Sequence, residues 1–432
     1  MTLERLKEAW RRSDRLFGLL SDEAWLEQPI PLRQPFLFYL GHLPAFAWNQ
    51  LGRGLLGLPA FRPDLDGLFE RGIDPVGVDA FVPRTAWPAL ADVLDYRDRV
   101  RGTLADVLAD PGFPSAGVQV VAMTVEHELM HHETLLYMVQ ELDHRLKARP
   151  GGWPALPRPS GPRRAKEVEI PAGEVTLGAA PGSLPFGWDN EFPECRVEVP
   201  GFAIDALPAT NAGFLEFVRD GGYAEPGLWK EDDWAWRTRR CVHQPHSWLR
   251  DGDGFRVRSL LEDVPFALAA EWPAVVSQAE AAAYARWKGA RLPSEAEWHR
   301  AARGTPAGGE RRHPWGDEPP ADRRGSFGFR HASPVPVGSF PGGASAWGVQ
   351  ELVGNGWEWT GTPFAPFAGF EPMPRYPGYS ADFFDGRHHV LLGGSWATDE
   401  ALLRPSFRNW FQPHYPYVFA KCRCARSEAA DD

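Results

Sequence analysis

Five prolines fall within the eighteen residues from Arg149 to Lys166, and that stretch constrains the chain more than any other feature. Proline has no amide hydrogen to give to a helix interior or a central strand, so the stretch can be neither. Glycines 151, 152 and 161 complete the composition of a linker. It separates a segment 1–148 from a segment 167–432. A chain of 432 residues also exceeds one ordinary core, so two domains are expected.

Segment 1–148 reads as helical. Apolar residues recur at helical spacing from Leu3 to Leu20, and Ser21-Asp-Glu-Ala24 has the composition of a cap and first turn. Phe36 to Leu51 follows Pro35 as an apolar helix, with a kink expected at Pro44. Residues 62–85 hold Gly72, Pro75, Gly77 and Pro83 without periodicity, which predicts a long loop. Helix resumes over Ala86–Leu108, with Trp87-Pro88 in its first turn, and again over Val118–Ala148. Four long helices predict an antiparallel bundle whose core can hold metal ligands.

Segment 167–432 has another texture. Val168–Ile170, Val175–Leu177 and Arg196–Val199 alternate like short strands, while Ala209–Asp220 and Ser277–Lys288 read as helices. Ser277 and Glu280 have capping-box spacing. From Pro314 to Ala425 only brief strands stand among glycine-rich loops. Most of the 19 tryptophans and 26 phenylalanines lie beyond Pro154, where aromatic rings can supply the core that regular elements do not. This predicts a loop-rich α+β domain.

A net charge of −11 with no basic stripe argues against nucleic-acid binding. No apolar run is long enough to span a bilayer, and the charged amphipathic start is unlike a signal peptide. Four cysteines give no disulfide scaffold, which makes a reducing cytoplasm the expected location.

The chemistry sits in Thr124–Tyr137. His127 and His131 are four apart, so on a helix their imidazoles share a face and can converge on one ion. His127-Glu-Leu-Met-His131 has the zinc-protease form, but its extended version needs Gly and His where Glu133-Thr-Leu-Leu-Tyr-Met138 stands. The bland alternative is that these rings face solvent or a polar core. His42 is the candidate third ligand, because it lies in an otherwise apolar stretch where an unpaired imidazole is costly. Three histidines leave adjacent positions open on an octahedral ion. That suits iron(II) binding substrate and O2 together, and neutral ligands favour an anionic co-ligand such as a thiolate. Glu128 and Glu133 could then support ring N–H groups or pair helices, and His132 points off the ligand face.

His127-x-x-x-His131-x-Glu133 resembles the iron-binding helix of the DinB-like domain in ergothioneine-biosynthesis sulfoxide synthases, and Gly41-His42-Leu43-x-Ala45-Phe46 is similar to the segment bearing their first histidine. Pro293-Ser-Glu-Ala-Glu-Trp298, Glu351–Trp359, Leu392–Trp396, Arg404–Trp410 and Phe419–Cys424 resemble the formylglycine-generating-enzyme-like domain of that family. The resemblance covers nearly the whole chain. It implies a DinB-like four-helix bundle, then a formylglycine-generating-enzyme/C-type-lectin-like domain that contributes the substrate pocket. It also implies iron(II) on His42, His127 and His131, and O2-dependent joining of sulfur from cysteine or γ-glutamylcysteine to C2 of the hercynine imidazole. A related branch joins selenium from a selenosugar instead. Some members carry a catalytic tyrosine where this chain offers Phe383 and Phe384, so Tyr96 and Tyr379 become the candidate acids.

Hercynine carries a trimethylammonium group that wants aromatic faces, for which Trp357, Trp359, Phe383, Trp396, Trp410 and Phe411 are candidates. Its carboxylate wants amide donors such as Asn355 and Asn409. A donor carboxylate suits arginine: Arg84, with Arg71 and Arg404 in competition, while Asp74 and Asp79 could equally cap turns. Cys422 and Cys424 read as an ordinary strand pair rather than a reactive one. Two rivals stand beside this reading, a non-catalytic metal-bound scaffold and zinc-dependent thiol transfer without O2.

Overall fold

The computed structural model describes residues 2–70, 83–115, 117–157, 161 and 166–427. Arg71, Asp74 and Asp79 lie outside the described residues. The chain divides into two compact units, Met1–Trp153 and Pro154–Asp432, at a point inside the proline-rich stretch.

The first unit contains α1 (Thr2–Phe17), α2 (Phe36–Ala47), α3 (Pro63–Leu68), α4 (Leu90–Ala109) and α5 (Gly117–Glu141). α1 packs on α5 and α2 on α4, while α2 also touches α5 and α1 touches α4. α5 is the central helix. Most of its residues are buried, including His127, Glu128, His131, His132 and Glu133. A helix buried on this many faces must satisfy its polar side chains internally, and those needs organise the unit.

Five local expectations change. Ser21–Ala24 is a turn, closed by the Ala24 amide on the Ser21 carbonyl, and no helix follows before Phe36. Pro29 and Pro31 interrupt the intervening chain, and the Ser21 amide bonds to the Leu146 carbonyl instead. Within residues 62–85, α3 forms where a loop was expected, with Pro63 in its first turn and Asp64 and Asp66 near its start. α4 begins at Leu90, after Pro88 rather than around it, and α5 ends at Glu141, short of Ala148. Pro44 sits inside α2 without ending it; the helix widens into a π-helical turn over Trp48–Arg53.

The second unit opens with β1 (Glu167–Ile170), β2 (Gly173–Leu177), β3 (Cys195–Val199) and β4 (Phe202–Asp205), followed by α6 (Asn211–Arg219) and α7 (Glu231–Arg239). β5 (Trp248–Asp251), β6 (Gly254–Arg258) and β7 (Asp263–Pro265) form an antiparallel meander. Next come α8 (Phe266–Ala269), α9 (Gln278–Trp287) and α10 (Glu295–Arg303). The strands β8 (Trp357–Pro363), β9 (His389–Leu392), β10 (Asn409–Phe411), β11 (Ala420–Lys421) and β12 (Ala425–Ser427) complete the unit. Its largest sheet has the order β10-β9-β8-β11, with β11 parallel to β8, and β12 closes a second sheet beside β4.

α9 and α10 both start in capping boxes, Ser277 with Glu280 and Ser294 with Glu297. Each side-chain cap contributes about 1 kcal/mol. α7 escapes hydrophobic patterning because its helix signal is charge: Glu231, Asp232 and Asp233 in the first turn, Arg237 and Arg239 in the last.

Candidate metal centre

α2 brings His42 and α5 brings His127 and His131 to one place. One ring nitrogen from each lies within 4.8 Å of the others, and all three residues are buried. The ring centroids are 4.5 to 5.1 Å apart. Two phenylalanines wall the rings: Phe46 stacks on His127 at 3.6 Å and Phe38 on His42 at 5.0 Å.

The donor chemistry fits a cation. Burial lowers the His42 pKa to about 4, and burial followed by the neighbouring histidines pushes His127 well below its ordinary value. His131 is pushed down by burial, then by His42 and Arg33. At neutral pH all three are uncharged imidazoles with lone pairs available. His42 directs Nδ1 at the Phe69 carbonyl, 2.7 Å away, and its buried Nε2 has no hydrogen-bond partner among the described residues. The Nε2 atoms of His127 and His131 stand 3.2 Å apart. Lone pairs gathered in an apolar pocket are costly without an ion to accept them.

Two further polar residues of α5, Glu128 and His132, are engaged by neighbouring helices. Ser13 of α1 donates to Glu128 at 2.5 Å and lies 2.8 Å from Nε2 of His132. Arg101 of α4 approaches Glu128 at 3.7 Å and Asp14 at 2.7 Å. Glu128 therefore pairs helices, and His132 stays out of the metal cluster. Sequence reading missed Ser13 and Arg101, because the contact from Ser13 spans 115 residues and no local pattern marks it.

The remaining candidates fall into three groups. Tyr96 is buried and donates its hydroxyl to Asp66 at 2.7 Å; burial and that carboxylate hold its proton well above the usual tyrosine range. Arg84 is exposed and pairs with Glu27 at 3.2 Å. In the second unit, Asn355 is buried in a left-handed turn (φ 65°), bonding Val335 through both amide atoms and Glu351 through its nitrogen. Trp357 and Trp396 are core residues, near Phe407 and Phe419 respectively. Arg404 is bound to Glu191.

Among the described residues, one group of substrate candidates comes together around Trp410. Trp410 is half-buried on β10, with Tyr379 at 5.4 Å, Phe383 at 5.6 Å and Phe364 stacked at 4.3 Å. Asn409 precedes it, its side-chain oxygen accepting from the Trp410 amide. Phe383 brings no hydroxyl to this group. Burial raises the thiol pKa of Cys422 and Cys424, the reverse of a reactive pair.

Residues 5–135 match the DinB superfamily, and residues 155–428 match the sulfatase-modifying factor enzyme 1-like domain. The chain is 39% identical to the hercynine oxygenase of Mycobacterium tuberculosis, over 91% of each chain. It is 38% identical to the hercynine oxygenase of Mycolicibacterium thermoresistibile, over 98% of this chain and 93% of that one. A formylglycine-generating enzyme of M. tuberculosis is 32% identical over 48% of this chain and 76% of its own length. Among the described residues, no helix is long and apolar enough to cross a membrane.

Proposed function

The chain belongs to the hercynine oxygenase family, and on that premise we propose that it is a non-haem iron(II) enzyme that uses O2 to form a carbon–sulfur bond at imidazole C2 of hercynine. The observation that carries this reading is the buried cluster of His42, His127 and His131 in a chain alike over nine-tenths of its length. Bound there, ferrous iron would supply O2 activation and a coordination site for a chalcogen donor. The net reaction balances: a thiol and the C2–H of hercynine with one O2 give a sulfoxide and one water.

The chain's own residues have definite tasks. The three neutral imidazoles hold the ion without cancelling its charge, so an anionic donor is favoured. Phe38 and Phe46 keep water from the ligand rings. Trp410, with Tyr379 and Phe383, offers ring faces to the trimethylammonium group, and Asn409 offers an amide to the carboxylate. Tyr379 is the proposed proton source, since the Tyr96 hydroxyl is committed to Asp66. Arg84 is proposed for a donor carboxylate, which requires it to leave Glu27. Asn355, Trp357 and Trp396 serve the substrate only by shaping the unit that carries the others. The unpaired state of all four cysteines supports a cytoplasmic location.

Anaerobic loading with ferrous iron, then O2 and hercynine with cysteine, γ-glutamylcysteine or a selenosugar in parallel, will consume O2 only when hercynine and one donor are both present. The product mass names the donor and the oxidation level. A selenium adduct would assign the chain to the carbon–selenium branch, and no substrate-dependent O2 uptake with any donor would refute the reading. Trp410→Ala is expected to raise the half-saturating hercynine concentration about tenfold while leaving iron content unchanged, the loss of one partly desolvated cation–π contact.

A further inference from the structure

His42 is oriented by a part of the chain that supplies no ligand. α3 leads into Phe69, and the Phe69 carbonyl takes the hydrogen bond from Nδ1 of His42 at 2.7 Å. A carbonyl oxygen can only accept, so this bond places the ring proton on Nδ1 and leaves the lone pair on Nε2. Two independent features hold Phe69 there. Its fully buried ring lies directly on Gly41, where a Cβ would come 2.3 Å from the ring. Asp66, three residues before Phe69, accepts the Tyr96 hydroxyl at 2.7 Å through one oxygen and the amides of Phe61 and Arg62 through the other.

We propose that Gly41, Asp66 and Tyr96 are positioning residues for the metal centre: they keep the Phe69 carbonyl against Nδ1 of His42 and so determine which nitrogen of that ring ligates. Gly41 admits the aromatic ring, Tyr96 pins α3 from α4, and the carbonyl makes Nε2 a better donor. The proposal rests on the metal reading above, and it deepens that reading by explaining why a glycine immediately precedes the ligand.

The test uses the full chain with Tyr96→Phe and Gly41→Ala. Ferrous iron affinity is measured anaerobically against a chromophoric chelator, and the histidine ring nitrogens of the iron-free protein are followed by 15N NMR. Loss of a group supporting a metal-bound histidine weakens affinity by roughly 10- to 100-fold, so Y96F is expected at the lower end and G41A at the upper. In both variants His42 should shift from the pure Nδ1–H form toward a mixture of tautomers. Leu104→Ala, buried elsewhere on α4, serves as the control: it lowers stability and moves neither readout. The proposal is overturned if Y96F keeps both the parental affinity and the His42 tautomer, or if L104A weakens iron binding equally. Should the parent protein bind no ferrous iron, the metal reading fails, and the tautomer measurement alone decides the role of the α3 arm.

Discussion

Replacing His127 by alanine will abolish the rise in melting temperature that ferrous iron gives the parent protein, and turnover will fall to background. The parent binds iron in its folded form, so iron at one hundred times its dissociation constant adds about 2.7 kcal/mol of stability. Removing one of three ligands costs more than removing a supporting group, so an affinity loss beyond roughly 100-fold is expected. The iron-free variant should nevertheless fold. Alanine leaves a cavity beside Phe46, yet it also removes a polar imidazole from a buried, largely apolar pocket. These two effects oppose each other. Thermal melts with and without ferrous iron therefore separate ligand loss from misfolding. An H127A protein that still gains stability from iron would show that the ion sits elsewhere.

The histidines were legible because their signals are local. Two of them stand four apart on a long periodic helix, and the third is a solitary polar residue in an apolar run. What was hidden is what holds them. The Phe69 carbonyl lies 27 residues from His42 in sequence, and a backbone oxygen has no letter of its own. α3 is six residues long beside a glycine- and proline-rich stretch, too short for any period to emerge. Tyr96 illustrates a different limit: sequence supplies a phenol, and only the fold reveals that its hydroxyl is already committed to a hydrogen bond with Asp66. Asn355 is the same kind of case, since its place between two glycines already marks a turn, and the structure spends its amide on bracing that turn. Among many aromatic candidates, pattern could not separate core tryptophans such as Trp396 from the half-buried Trp410. Burial decides that, and burial is a property of the assembled unit.

Glu358→Gln will destabilise the second unit by about 3–5 kcal/mol, the cost of removing one partner from a buried ion network. The Glu358 carboxylate is fully buried on β8 and receives Arg423 through both oxygens, at 2.5 and 2.7 Å, and the Trp298 indole at 2.8 Å. Lys421 stands 3.4 Å away, its ammonium also donating to the carbonyls of Gly354 and Gly356. A glutamine of the same shape removes the carboxylate that both buried cations share, leaving Lys421 and Arg423 with Glu351 and Asp205 as acidic neighbours. Fourteen of the nineteen tryptophans lie beyond Trp153, so urea unfolding followed by tryptophan fluorescence reports mainly on this unit. The midpoint should fall, and adding Lys421→Met should restore part of the loss by removing one of the two cations. The pH dependence supplies the sign. Burial disfavours the Glu358 charge, but Arg423 and Lys421, with the hydrogen bonds from Arg423 and Trp298, outweigh it and hold the carboxyl below its ordinary range. A depressed carboxyl stabilises the fold above its unfolded pKa and loses that contribution as pH falls through its folded one. The parent should therefore lose stability in acid along a limb that E358Q lacks, and the two proteins should converge at low pH. Equal midpoints at neutral pH would mean that packing, rather than charge, holds β8 to the segment that follows β11.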